Sequence, residues 1–108
     1  MIAPRIGDLA DRLTLEQEVR TPDDGGGAVS SWETVAELWA AVRPITGDER
    51  LRADQIAGRL THEVWMRYRT GVLPAMRLRQ GARVLAIVAV LETGRRTFLK
   101  CLCEERDL

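Results

Sequence analysis

Apolar and polar residues alternate with a period of two over most of this chain. From Arg12 to Val19, Leu13, Leu15 and Val19 share one face, and Thr14, Glu16 and Glu18 share the other. That is the signature of a half-buried strand. Pro22, Asp23, Asp24 and three consecutive glycines then break it, which predicts a hairpin tip or a mobile loop. A second strand is expected from Ser31 to Val42, closed by Pro44, which removes a ladder donor. Trp32 and Trp39 fall on opposite faces of an unbroken strand, and a bulge near Ala36 would bring them to one side. Alternation returns from Thr61 to Arg69, with Val64, Met66 and Tyr68 on one face. Met76 and Leu78 begin a short strand, Phe98–Glu104 forms the last, and turns lie at Gln80–Arg83 and Glu92–Arg96. The run from Val84 to Leu91 is nearly all apolar, as in a central strand covered on both faces.

One segment departs from this period. Thr46-Gly47-Asp48-Glu49 forms a capping box, and Ala53, Ile56, Ala57 and Leu60 follow at helical spacing. Gly58 is a natural stop. Arg50, Arg52, Asp54, Gln55 and Arg59 occupy the other face. So short and thinly apolar a helix needs a neighbour to be stable. The pattern predicts a mainly β protein: a small antiparallel barrel or sandwich of about six strands with one helical insertion at about residues 46–58, in a single domain spanning 1–108.

Composition narrows the function. The formal net charge is +0, which argues against a generic binder of polyanions. The zero conceals an asymmetry. Residues 1–54 hold 6 basic and 11 acidic side chains, and residues 55–108 hold 10 basic and 5 acidic. Copies could therefore attract one another head to tail, although interleaved strands would be expected to mix the charges in space. No apolar run is long enough to cross a bilayer, and the first residues lack the apolar core of a signal peptide, so synthesis in the cytoplasm is expected.

Candidate chemistry is sparse. Cys101 and Cys103 stand two apart on one strand face, a poor geometry for a disulfide, and read as small buried hydrophobes of a reducing compartment. His62 is the only histidine, so no four-ligand zinc set exists. It could pair with a cysteine only if the last strand lay beside its own. Glu16 and Glu18 share a face as paired acids might, but carboxylates on an exposed strand are usually solvated. The glycine cluster lacks the helix and register of a phosphate-binding loop. Arg67, Arg69, Arg77, Arg79 and Arg83, with Trp65 and Tyr68 nearby, suggest the alternative of a small β-barrel nucleic-acid-binding module. Neither enzymatic activity nor a cofactor or catalytic, cofactor-binding or metal residue is expected.

The ordered series of motifs resembles the tailed-phage head–tail joining proteins, also called head–tail adaptor, stopper or head-completion proteins. It begins with Ile6-Gly7-Asp8-Leu9 and Arg12-Leu13-Thr14-Leu15 and continues through Gly25-Gly26-Gly27 before Trp32. Trp39-Ala40-Ala41-Val42-Arg43-Pro44, then Gly47 and Glu49, and Glu63-Val64-Trp65-Met66-Arg67-Tyr68 follow in family order. Met76-Arg77-Leu78, Val84-Leu85-Ala86-Ile87 and Leu99-Lys100-Cys101-Leu102-Cys103-Glu104 complete it, with Leu85 where an aromatic is commoner. The resemblance implies a structural virion protein of a tailed phage, prophage or gene transfer agent, assembled in the bacterial cytoplasm. It implies a ring of copies, a hexamer or a dodecamer, between the portal or adaptor above and a tail-completion or tail protein below, helping to close the channel for packaged double-stranded DNA. No membrane partner is implied. Thr46, Glu49, Arg50, Arg52, Asp54, Gln55 and Arg59 would face the channel or the next subunit. The free subunit would be monomeric, its Thr46–Leu60 arm ordered on assembly.

Overall fold

The computed structural model describes residues 4–45 and 60–106. A short 3-10 turn, Ile6–Asp8, precedes six strands: β1 (Asp11–Pro22), β2 (Ala28–Pro44), β3 (His62–Arg67), β4 (Arg77–Gln80), β5 (Arg83–Thr93) and β6 (Phe98–Arg106). The strands form one antiparallel sheet in the order β1-β2-β3-β6-β5-β4, closed into a barrel where β4 meets β1. All six strands expected from the sequence are present. The helix expected at 46–58 lies outside the described residues.

The barrel interior follows from the period of two. Leu15 on β1 pairs with Leu78 on β4, and Leu78 with Leu85 on β5, so one row of leucines crosses three strands. On the opposite wall, Met66 pairs with Leu99 and Val64 with Cys101. Leu13, Leu15, Val64, Met66, Leu78, Leu85, Cys101 and Cys103 are all essentially inaccessible, and Val72 and Met76 close the core from the loop before β4. Each such leucine stabilises the fold by about 1.5–3 kcal/mol relative to an exposed one.

Outside the barrel, Trp65 and Phe98 meet edge to face at 6.2 Å and pack with Leu9 and Ala41. Glu63 is buried beside them. It accepts a hydrogen bond from Trp65 Nε1 at 2.9 Å and lies 3.3 Å from Lys100 Nζ. The charge is therefore paired and hydrogen-bonded, as a buried carboxylate requires.

Three expectations are corrected. The chain halves do not interleave: β1 and β2 are neighbours, and β3, β6, β5 and β4 form a contiguous remainder, so among the described residues the charge asymmetry survives in space. The apolar run of β5 is not covered on both faces throughout. Val84, Leu85 and Ile87 are buried, but Val88 is a bulge residue and, like Leu91, is exposed, because β4 pairs only with Arg83–Ala86. Glu16 is not solvated but buried against β4.

Candidate functional site

The first two strands outrun the barrel. β4 pairs with β1 only at Thr14–Glu16, and β3 pairs with β2 only at Ala40–Pro44. Between Gln17↔Glu33 and Pro22↔Ala28 the sheet is therefore a ribbon of two strands, mostly exposed on both faces. It accounts for the long dimension of the molecule, 50 Å against 28 and 26 Å. The glycine tip is an ordered turn. Asp23 Oδ1 accepts hydrogen bonds from the backbone N–H groups of Gly25 and Gly27, both at 2.9 Å, and Gly26 has φ +83°.

A bulge sets the faces of this ribbon. Leu15 pairs with Ala36 and Glu16 with Thr34, which leaves Val35 as an extra residue in β2. The insertion brings both tryptophans to the outer face, as a bulge near Ala36 was expected to do. Trp39 pairs with Arg12, whose guanidinium lies 5.2 Å from its ring centroid, and Trp32 pairs with Glu18 on the same side. At the ribbon base the Arg77 guanidinium stacks 4.1 Å from the Trp32 ring centroid while its Nε donates to Glu16 Oε1 at 2.7 Å. Arg79 approaches the other Glu16 oxygen at 3.9 Å. A ring, a guanidinium and a buried carboxylate thus clamp the ribbon to β4.

At the root of the ribbon there is a groove. The next pair beyond Ala40↔Met66 would be Trp39 with Arg67. That pair does not form, while β3 continues along β6, where the N–H of Tyr68 donates to the carbonyl of Thr97 at 3.0 Å. The two strands part and leave a cavity of about 510 Å³, lined by Ile6, Leu9, Leu38, Trp39, Met66 and Arg67–Arg69. Trp39 is 52% exposed. Arg67 and Arg69 stand on the rim, and among the described residues neither has a carboxylate partner.

The residues singled out for chemistry are not assembled into a reactive centre. His62 does pair with Cys103 across β3 and β6. Burial, reinforced by the Cys101 thiol nearby, pushes the Cys103 thiol well up, and burial raises Cys101 to about 12. Cys103 Sγ donates to the Cys101 carbonyl, not to the imidazole. Nδ1 of His62 is 2.9 Å from Thr61 Oγ1, and Nε2 is 2.8 Å from Arg83 Nη2, in a network that ties the start of β3 to β5. No group of three or more potential metal ligands exists among the described residues. The arginines suggested for nucleic acid are dispersed: Arg77 and Arg79 hold Glu16, Arg83 holds Glu105, and Trp65 is buried. Thr46, Glu49, Arg50, Arg52, Asp54, Gln55 and Arg59 lie outside the described residues. The flanking Ile45 and Leu60 are both buried against Leu102, and the N–H of Ile45 donates to the carbonyl of Thr61 at 2.9 Å, so the chain leaves and rejoins the barrel at adjacent points.

The described residues form a closed small barrel from which a long ribbon of two strands projects, the architecture of a structural module. Comparison with known proteins agrees. The chain matches the phage head completion protein family over residues 4–106 and belongs to that family. It is 31% identical to protein SF1141 from Shigella flexneri 2a, known from a solution structure, over 94% of this chain and 96% of that one, with a TM-score of 0.77. It is 32% identical to a chain in the virion of a native gene transfer agent particle, over 97% of this chain and 99% of that one, with a TM-score of 0.66. No curated protein matches it.

Proposed function

We propose that this protein is a virion component that forms a ring between the head and the tail of a phage-like particle, joins the two, and helps to close the channel for packaged DNA. The observation that carries this reading is the match along nearly the whole chain both to the head completion family and to a protein of a gene transfer agent virion. The fold supports it. The barrel offers a wall from which the ribbon projects, and the chain leaves that wall at Ile45 and returns to it at Leu60. Thr46, Glu49, Arg50, Arg52, Asp54, Gln55 and Arg59 are the residues that would face the channel or the adjoining copy. A barrel whose arginines are mostly engaged by carboxylates also suits a passage through which DNA must slide, because each free phosphate contact would add affinity and slow it.

The test is deletion of the gene in a particle-producing host, followed by electron microscopy. Filled heads without tails, or heads that have lost their DNA, are the expected result, with tailed particles restored by the gene supplied in trans. Normal tailed particles from the deletion strain would overturn the reading.

A further inference from the structure

The ribbon and the groove carry opposite charge. Residues 17–35 hold four acidic side chains, Glu18, Asp23, Asp24 and Glu33, against one basic, Arg20. Among the described residues Asp23 and Asp24 at the tip make no ion pair; Asp23 only holds its own turn. Among the described residues the groove presents Arg67 and Arg69 without carboxylate partners, whereas Arg96, 5.8 Å from the Tyr68 ring centroid, is already paired with Glu92 at 3.4 Å. Apolar surface matches too: Val29 next to the tip is 59% exposed, and Trp39 in the groove is 52% exposed.

The two features cannot meet within one molecule. Ala28 and Trp39 lie on the same strand, roughly 35 Å apart at about 3.3 Å per residue. A two-stranded ribbon is also marginally stable alone in water and gains by being covered. We propose that the acidic ribbon tip of one copy docks in the arginine-rimmed groove beside Trp39 of the next copy. The contact joins two different patches, so it propagates from copy to copy and closes into a ring when the rotation permits. It deepens the ring reading above and rests on it for its biological setting. The association is weak enough that the dilute chain is a monomer, and charge steers it.

Three variants test it by sedimentation velocity across protein concentration at low and high salt. Arg67→Glu with Arg69→Glu reverses the groove. Asp23→Asn with Asp24→Arg reverses the tip, the asparagine keeping the acceptor that holds the turn. The third chain carries all four substitutions. Wild type is expected to associate with rising concentration, and less so in high salt. Each partial variant is expected to associate about tenfold more weakly, and the fully swapped chain to recover to within about threefold of wild type. A wild type that stays monomeric at its solubility limit, or a swapped chain no better than its parents, overturns the proposal.

Should the groove variant fail to fold, a cysteine pair decides independently. Asp24→Cys with Arg69→Cys should give a ladder of disulfide-linked multimers on oxidation, while either cysteine alone stops at dimers. Absence of the ladder overturns the contact. Tailless particles without a ladder would sink this contact alone, and a ladder with normal tailed particles would sink the head–tail reading alone. A wild type that stays monomeric while the groove variant fails to join particles would assign the groove to a different virion protein and also overturn the proposal.

Discussion

Glu16, Arg77 and Trp32 show how much one position depends on its neighbours. Alternation alone gives Glu16 a solvent-facing place on β1, and the side chain does point away from the core. It is buried because Arg77 and Arg79 from β4 cover it, a contact between residues far apart in the chain that no local pattern encodes. Glu16→Gln leaves the Arg77 cation half-buried without its counter-ion and should cost about 2 kcal/mol in urea unfolding. The cysteines were legible, since two small apolar residues on one inward face need no distant information. Their thiols are expected to resist alkylation in the folded protein at pH 8 and to react at once in denaturant. Their pKa values are raised in the folded state, above an ordinary value of 9.0 and to about 12 for Cys101. Their contribution to stability is therefore complete below pH 9 and is lost as pH rises toward 12. Unfolding midpoints measured across that range would check the sign.

Among the elements, all six strands could be read from the sequence, most from the period of two and β5 from its apolar run. The bulge at Val35 was legible only as one of two possibilities for the tryptophans. Its consequence is testable. Deleting Val35 removes the extra residue and leaves Trp32 six positions from Trp39, an even spacing that keeps both on the outer face and Trp32 opposite Glu18. Trp32 should stay on Arg77, with stability within about 1 kcal/mol of wild type in urea unfolding and tryptophan emission unchanged. The reach of the ribbon was not legible, because strand length says nothing of where neighbouring strands stop. β1 and β2 are patterned as half-buried strands, yet β3 and β4 cover only their barrel ends.

For the whole molecule, the ribbon and the barrel are separable. The core residues all lie outside Val19–Ser31. Replacing that stretch by a two-residue Asn-Gly turn should preserve the barrel, its melting temperature staying within a few degrees, as circular dichroism can show. The same chain should lose self-association and fail to restore tails in the deletion strain. Sequence order also carried more spatial information than expected here. Because the chain lays its first two strands side by side, the acidic stretch of residues 17–35 stands on the ribbon, and the basic β3–β6 make most of the barrel wall. The groove could not have been foreseen, since it lies where β2 and β3 part while β3 stays paired with β6, a divergence that no local pattern encodes.

The cylinder is sealed along only three residue pairs, Thr14↔Arg79, Leu15↔Leu78 and Glu16↔Arg77, the last joining side chains 61 positions apart. So distant a latch engages late, after the local hairpins have formed. Until then a newly made chain is an open sheet with two raw borders, each able to capture a strand from another molecule. Substitutions that weaken the latch should therefore send the protein into inclusion bodies even where the hydrophobic interior is untouched, and co-expression with chaperones should return it to the soluble fraction.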